Sequence, residues 1–155
     1  MAKNNTKKKA EAIEFKFRGT LNYFGYGKGK FGSEEQSQIA IIPDDAEQLR
    51  KELETCYDAA EIDTKWRPDF ITKKSERLNL KSRFDVIVIA AHEGDNIRTN
   101  VKDFGEKYGI PAKGTRVKFV MKFKPDSGSL YPVALMFEDD LDDIEYYNLD
   151  NLFDF

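Results

Sequence analysis

From Arg116 to Lys124 the chain alternates between apolar and basic positions. Val117, Phe119, Met121 and Phe123 fall on one side and Arg116, Lys118, Lys122 and Lys124 on the other, the period of two expected of a strand with one buried and one solvated face. Val120 is the one break in the basic row. The turn PDSG at 125–128 reverses the chain, and a second apolar run returns from Leu130 to Phe137. Pro132 within it asks for a sheet edge or a bulge, because proline has no N–H to give to a ladder. Alternation also marks an earlier strand, with Ile13, Phe15 and Phe17 inward and Glu14, Lys16 and Arg18 outward. Ser37–Ile42 reads as a short strand. Leu78, Leu80 and Phe84 share one face of another, with Asn79, Lys81 and Arg83 on its reverse, and its continuation through Ala91 is apolar on both sides, which predicts the most buried strand.

One segment changes period. In PDDAEQLRKELETCYDAAE the apolar residues Ala46, Leu49, Leu53, Cys56, Tyr57 and Ala60 line one helical face, and Asp44 or Asp45 stands where an N-cap belongs. Residues 101–114 read as a loop or short helix. The segment GTLNYFGYGKGKFG, 19–32, sets glycines among Tyr23, Phe24, Tyr26, Lys28, Lys30 and Phe31, a mixture that offers rings for stacking and amines for phosphate. Residues 63–76 place Trp66 and Phe70 among lysines that include Lys73 and Lys74. Pro68 argues against a continuous helix there.

Charge alters this picture more than composition does. The net charge is -3, but residues 138–155 hold 8 acidic residues and no basic one, leaving 25 Lys and Arg against 20 Asp and Glu before residue 138. The expected organisation is a flexible basic arm at 1–11, a domain at 12–137 and a mobile acidic tail at 138–155. A chain of 155 residues suits one domain. One cysteine, Cys56, and one histidine, His92, exclude a disulfide framework and argue against a structural zinc site. No apolar run is long enough for a membrane span, and the lysine-rich start lacks the apolar stretch of a secretory signal. No catalytic residue, metal or cofactor is expected. For a metal-dependent nuclease, the main competing reading, Asp85 and Glu93 are the candidate ligands; a protein-binding mimic of DNA is the second.

The order of elements fits an all-β barrel with an inserted helix, and the outward Lys16, Arg18, Lys81, Arg83, Arg116, Lys118 and Lys122 give it a basic surface. The segments IAIIPDDAEQLRKELETCYDAAE, LNLKSRFDVIVIAA and KGTRVKFVMKF, with the acidic end closing on LFDF, occur in an order that resembles the single-stranded DNA-binding proteins of T7-like bacteriophages. The resemblance implies an OB-fold, a five-stranded Greek-key barrel with an α-helix between strands two and three. It also implies sequence-independent binding and protection of single-stranded DNA in phage replication, recombination and repair, in the cytoplasm of the infected bacterial host. The basic strand faces, with rings such as Tyr23 and Trp66, would hold DNA. The tail, through Asp142, Asp143, Leu152, Phe153, Asp154 and Phe155, would compete with DNA and contact phage or host replication and recombination proteins. A homodimer is compatible with it.

Overall fold

The computed structural model describes residues 11–28 and 35–146. Lys30, Phe31, Leu152, Phe153, Asp154 and Phe155 lie outside them, as does the basic arm through residue 10. Seven strands form one sheet: β1 (Ile13–Lys28), β2 (Glu35–Pro43), β3 (Leu78–Ser82), β4 (Ile87–His92), β5 (Asp95–Asn100), β6 (Arg116–Lys124) and β7 (Ser129–Asp140). Their order is β3-β2-β1-β6-β7-β4-β5. Every pairing is antiparallel except that of β4 with β7, which is parallel.

This mixed sheet corrects the expected five-stranded OB barrel, because its ladder does not close. The sequence suggests one strand from Leu78 to Ala91, but residues 83–86 interrupt it. The Phe84 N–H donates to Ser82 Oγ at 3.1 Å, a local bond that competes with ladder pairing. The two pieces then part: β3 pairs with β2 alone, whereas β4 joins β7 and β5. Strand β3 comes beside β7 without bonding to it. Phe84, expected inward, is 76% exposed. The turn region after His92 also contributes β5, a strand the pattern did not reveal, so the sheet keeps an edge at each end.

Helix α1 (Ala46–Ala59) falls between β2 and β3, and Asp45 caps it by accepting from the Gln48 N–H at 3.1 Å. Leu49, Leu53 and Tyr57 are its buried positions, and so is Arg50. Its Nε–H donates to the Phe70 carbonyl at 2.7 Å, Nη2 donates to the Ser75 carbonyl at 3.2 Å, and Glu47 pairs with Nη1. A buried guanidinium needs such partners. It thereby ties the short α2 (Asp69–Thr72) to α1 and places Phe70 in the core, so of the two rings expected to face a partner only Trp66 is exposed. Helix α3 (Val101–Tyr108), capped by Asn100, inserts Phe104 between Phe24 and Phe137, with ring centroids 5.6 and 5.1 Å away. Phe24, a candidate base-stacking ring, is therefore a core residue.

On β6, Val117, Phe119, Met121 and Phe123 are all buried, as the alternation requires. Pro132 is accommodated by a register shift: Val120 faces Ala134 while Met121 faces Pro132, leaving Val133 as the extra residue of a bulge. The acidic end also differs from the expected mobile tail. Strand β7 continues to Asp140, a 3₁₀ helix follows at Leu141–Asp143, and Leu141 and Ile144 are buried. Residues 138–146 thus belong to the folded body, because two apolar residues three apart anchor the acidic segment.

Phe104→Ala should cost about 3–5 kcal/mol, and Phe84→Ala less than about 0.5 kcal/mol, measured from urea midpoints; comparable losses would contradict the assigned burial. The Tyr57 hydroxyl donates to the Gly128 carbonyl at 2.9 Å, and burial pushes its pKa up to about 12. An unfolded tyrosine ionises near about 10, so this contribution is complete below that pH and is lost as pH rises toward the folded value. Tyr57→Phe should cost about 1 kcal/mol at neutral pH and flatten the alkaline decline in denaturation midpoint above about pH 10. An unchanged alkaline slope would exclude Tyr57 as its source.

Candidate binding groove and its charges

Residues directly opposite one another in paired strands share a face of the sheet. Arg18 faces Lys118, Lys118 faces Met136, Met136 faces Ile89, and Ile89 faces Arg98. The next row runs Lys16, Val120, Ala134, Ile87 and Asn100. The outward face of the sheet therefore has apolar positions on β7 and β4, flanked by cations on β1 and β6 and on β5. Ile87, Ile89, Val120, Ala134 and Met136 are all half-exposed. They lie on the reverse of the core, whose inward positions on these strands are Val88, Ala90, Phe119 and Leu135. Between them is a groove of about 450 Å³ with Lys16, Arg18 and Lys118 at its rim. It continues toward Ala91 and Glu138.

The rim cations are not equivalent. Arg116 binds Asp44 through two hydrogen bonds of 2.6 Å and approaches Glu138 at 3.6 Å, while Arg18 lies 3.3 Å from the same Glu138. Hydrogen bonding from Arg116 holds the Asp44 carboxyl below the usual carboxylate range, and the same bonds raise the Arg116 pKa. Arg18 and Arg116, two of the three arginines expected to contact DNA, are thus already engaged within the chain. Lys16, Lys118, Lys122 and Arg98 have no ion-pair partner among the described residues.

The remaining candidates do not join this groove. Tyr23 and Tyr26 border a depression against α3, where Tyr26 donates to Glu35 at 3.2 Å and lies 5.4 Å from the Lys102 amine. Lys28 ends β1. Lys81 and Arg83 line a cleft at the β3–β4 bend with Phe84, Lys124 and Tyr131. Trp66 stands on the α1–α2 connection, 71% exposed beside Lys65, while Lys73 pairs with Asp69 at 3.7 Å and Lys74 has φ 50°. Lys122 lies on the outward face of β6, beyond the groove rim. The residues that sequence reading missed are Ile87, Ile89, Ala134, Met136, Arg98 and the exposed Phe84. Two signals pointed to the apolar ones: Val120 breaking a basic row, and a strand apolar on both sides.

His92, Glu93 and Asp142 place one ligand atom each within 4.8 Å of one another, with His92 Nε2 3.6 Å from Asp142 Oδ1. One imidazole nitrogen and two carboxylate oxygens form a donor set able to take zinc or a first-row divalent cation. All three are at least partly exposed. Asp142 thus faces His92, and neighbouring Asp143 is exposed on the same 3₁₀ helix. Asp85 is not part of this group. It precedes β4 whereas Glu93 follows it, a separation of roughly 25 Å along an extended strand, and two-metal hydrolysis needs ions about 4 Å apart. The nuclease pairing of Asp85 with Glu93 is therefore excluded.

Compared with known proteins, the chain matches no family model and no curated protein. The suggested kinship with phage single-stranded DNA-binding proteins has no sequence relative to support it, and the seven-stranded open sheet is not the barrel that kinship implies. The single-strand-binding mechanism inferred from that barrel is corrected together with it. Among the described residues no helix is long and apolar enough to cross a membrane.

The Asp44–Arg116 pair has a testable pH signature. Because the folded Asp44 carboxyl titrates below its unfolded value, its contribution is present above about pH 4 and is lost as pH falls through the folded value. Asp44→Asn should therefore be less stable than the parent at pH 7, with the gap closing below about pH 4 in urea titrations. A gap independent of pH would contradict the assignment.

Proposed function

We propose that the chain is a non-catalytic docking module that holds an acidic, apolar segment of a partner protein in the groove over β7 and β4. The observation that carries this reading is the apolar floor of Val120, Ala134, Met136 and Ile89 between cationic rims. Apolar patches bordered by polar residues mark interaction sites on soluble proteins. The rim selects negative charge, while the floor rewards a ligand that also brings aliphatic or aromatic side chains to bury. Bases stack on aromatic platforms, whereas the outward positions of this floor are aliphatic chains and methionine, and of the two rings that line the groove Phe119 is buried and Phe17 packs against the core, so protein side chains suit it better. Lysine, arginine and aliphatic groups bind charge and exclude water; they include no nucleophile paired with a base.

The test uses the full chain and a fluorescein-labelled acidic peptide of Glu and Leu in mixed order, with poly-glutamate of equal charge as the apolar-free control. Saturable binding is expected, weakened about tenfold, or 1.4 kcal/mol, by Ile89→Asp or Lys118→Glu and unchanged by Phe84→Ala. Circular dichroism confirms that each variant is folded. Equal affinity for poly-glutamate, or indifference to both groove substitutions, would contradict docking in this groove.

A further inference from the structure

Given that docking reading, we infer that the occupant is an acidic amphipathic helix lying along β7 and β4, with its apolar stripe on the floor and carboxylates reaching both flanks. The arrangement of the face carries this. Apolar outward positions follow the strand direction, from Ile87 through Ile89 to Ala91 on β4 and from Ala134 to Met136 on β7. Cations stand to either side, Lys118 on β6 and Arg98 on β5, in the same cross-strand row. Both lack an ion-pair partner among the described residues.

The width of the face fits a helix. Strands β6 and β5 are three strand spacings apart, roughly 14 Å, and a helix with its side chains is about 10–12 Å across. From Ile87 to Ala91 is roughly 13 Å, or between two and three helical turns. The contacting segment is therefore about nine residues long, with apolar residues three and four apart and Glu or Asp on both borders of that stripe.

Backbone chemistry excludes the extended alternative. The N–H and C=O groups of β7 and β4 are committed to their neighbours in the sheet, β6, β5 and one another. An extended peptide laid across this face would press its own N–H and C=O groups against apolar side chains with nothing to bond. Strand addition satisfies those groups only at a free edge, and the edges here are β3 and β5. A helix arrives with its backbone already bonded. Glu138, at the end of the groove, does not oppose an acidic ligand strongly because Arg18 and Arg116 both contact it.

The experiment uses the full chain with three labelled peptides. The first is a helical peptide with Leu at three- and four-residue spacing and Glu on both borders of the stripe. In the second, two central residues of that peptide are replaced by proline. The third keeps glutamate on one border only. Tight binding of the first is expected, accompanied by a rise in helical circular dichroism. The proline peptide should bind at least tenfold more weakly. Arg98→Glu should weaken the two-border peptide about tenfold and change binding of the one-border peptide less than twofold. Equal binding of the proline peptide, or no effect of Arg98→Glu on the two-border peptide, overturns the helix while leaving the docking reading standing. If the helical peptide and the mixed Glu–Leu peptide both fail to bind, the docking reading and the helix fall together.

Discussion

Strand β1 has to serve two neighbours, and this constraint organises the sheet. Its first half pairs with β6 through Thr20, and its remainder pairs with β2 from Gly19 onward, so the ladders change over at Gly19 and Thr20. At the change-over β2 comes so near that a Cβ on residue 19 would lie 2.4 Å from the Ile42 carbonyl oxygen. Only glycine fits there, for reasons of contact rather than of backbone angle. Just beyond, the Leu21 N–H donates to the Thr115 carbonyl at 2.8 Å and the ladder with β2 shifts register. The same strand thereby presents Lys16 and Arg18 to the outward face near β6 and farther on buries Leu21 and sets Phe24 against Phe104 of α3.

The groove results from this arrangement together with the parallel pairing of β4 and β7. A strand covered on both faces can be apolar throughout. Here β4 is apolar from Ile87 to Ala91, yet it is covered on one face alone, so Ile87 and Ile89 remain half-exposed. The cost of leaving such side chains in water is a recurrent feature of surfaces that bury them elsewhere. The internal ion pairs sharpen the picture. Arg18 and Arg116 bind Glu138, and Arg116 also binds Asp44, which leaves Lys16, Lys118 and Arg98 as the outward charges for a ligand.

Much of the local structure was legible in the sequence. The β6–β7 hairpin, the outward lysines, α1 and its aspartate cap all follow from periodicity and cap chemistry. What was not legible depended on distant pairing. Nothing local in residues 83–86 announces that the strand splits and sends its halves to opposite ends of the sheet, since that outcome is set by β2 and β7. Phe84 looked buried because alternation was carried across the break. Phe24 looked available because its glycine-rich surroundings suggested a loop, whereas Phe104, eighty residues later, closes over it. The acidic end looked mobile by charge, and the spacing of Leu141 and Ile144 was the overlooked anchor. In the groove, Val120 and the two-sided apolar strand were visible as irregularities, but pairing alone shows that they converge and that Arg98 closes the row.

On the proposed docking reading, the outward face over β7 and β4 receives the partner. Methyl-labelled NMR of the full chain titrated with an acidic amphipathic peptide tests it most directly. The account predicts that the largest shift changes fall on the methyl groups of Ile87, Ile89, Val120, Ala134 and Met136, with buried Val88 and Leu135 affected less and Leu130, at the β3–β4 cleft, unchanged. Shifts centred on Leu130, or spread evenly over the molecule, would contradict it.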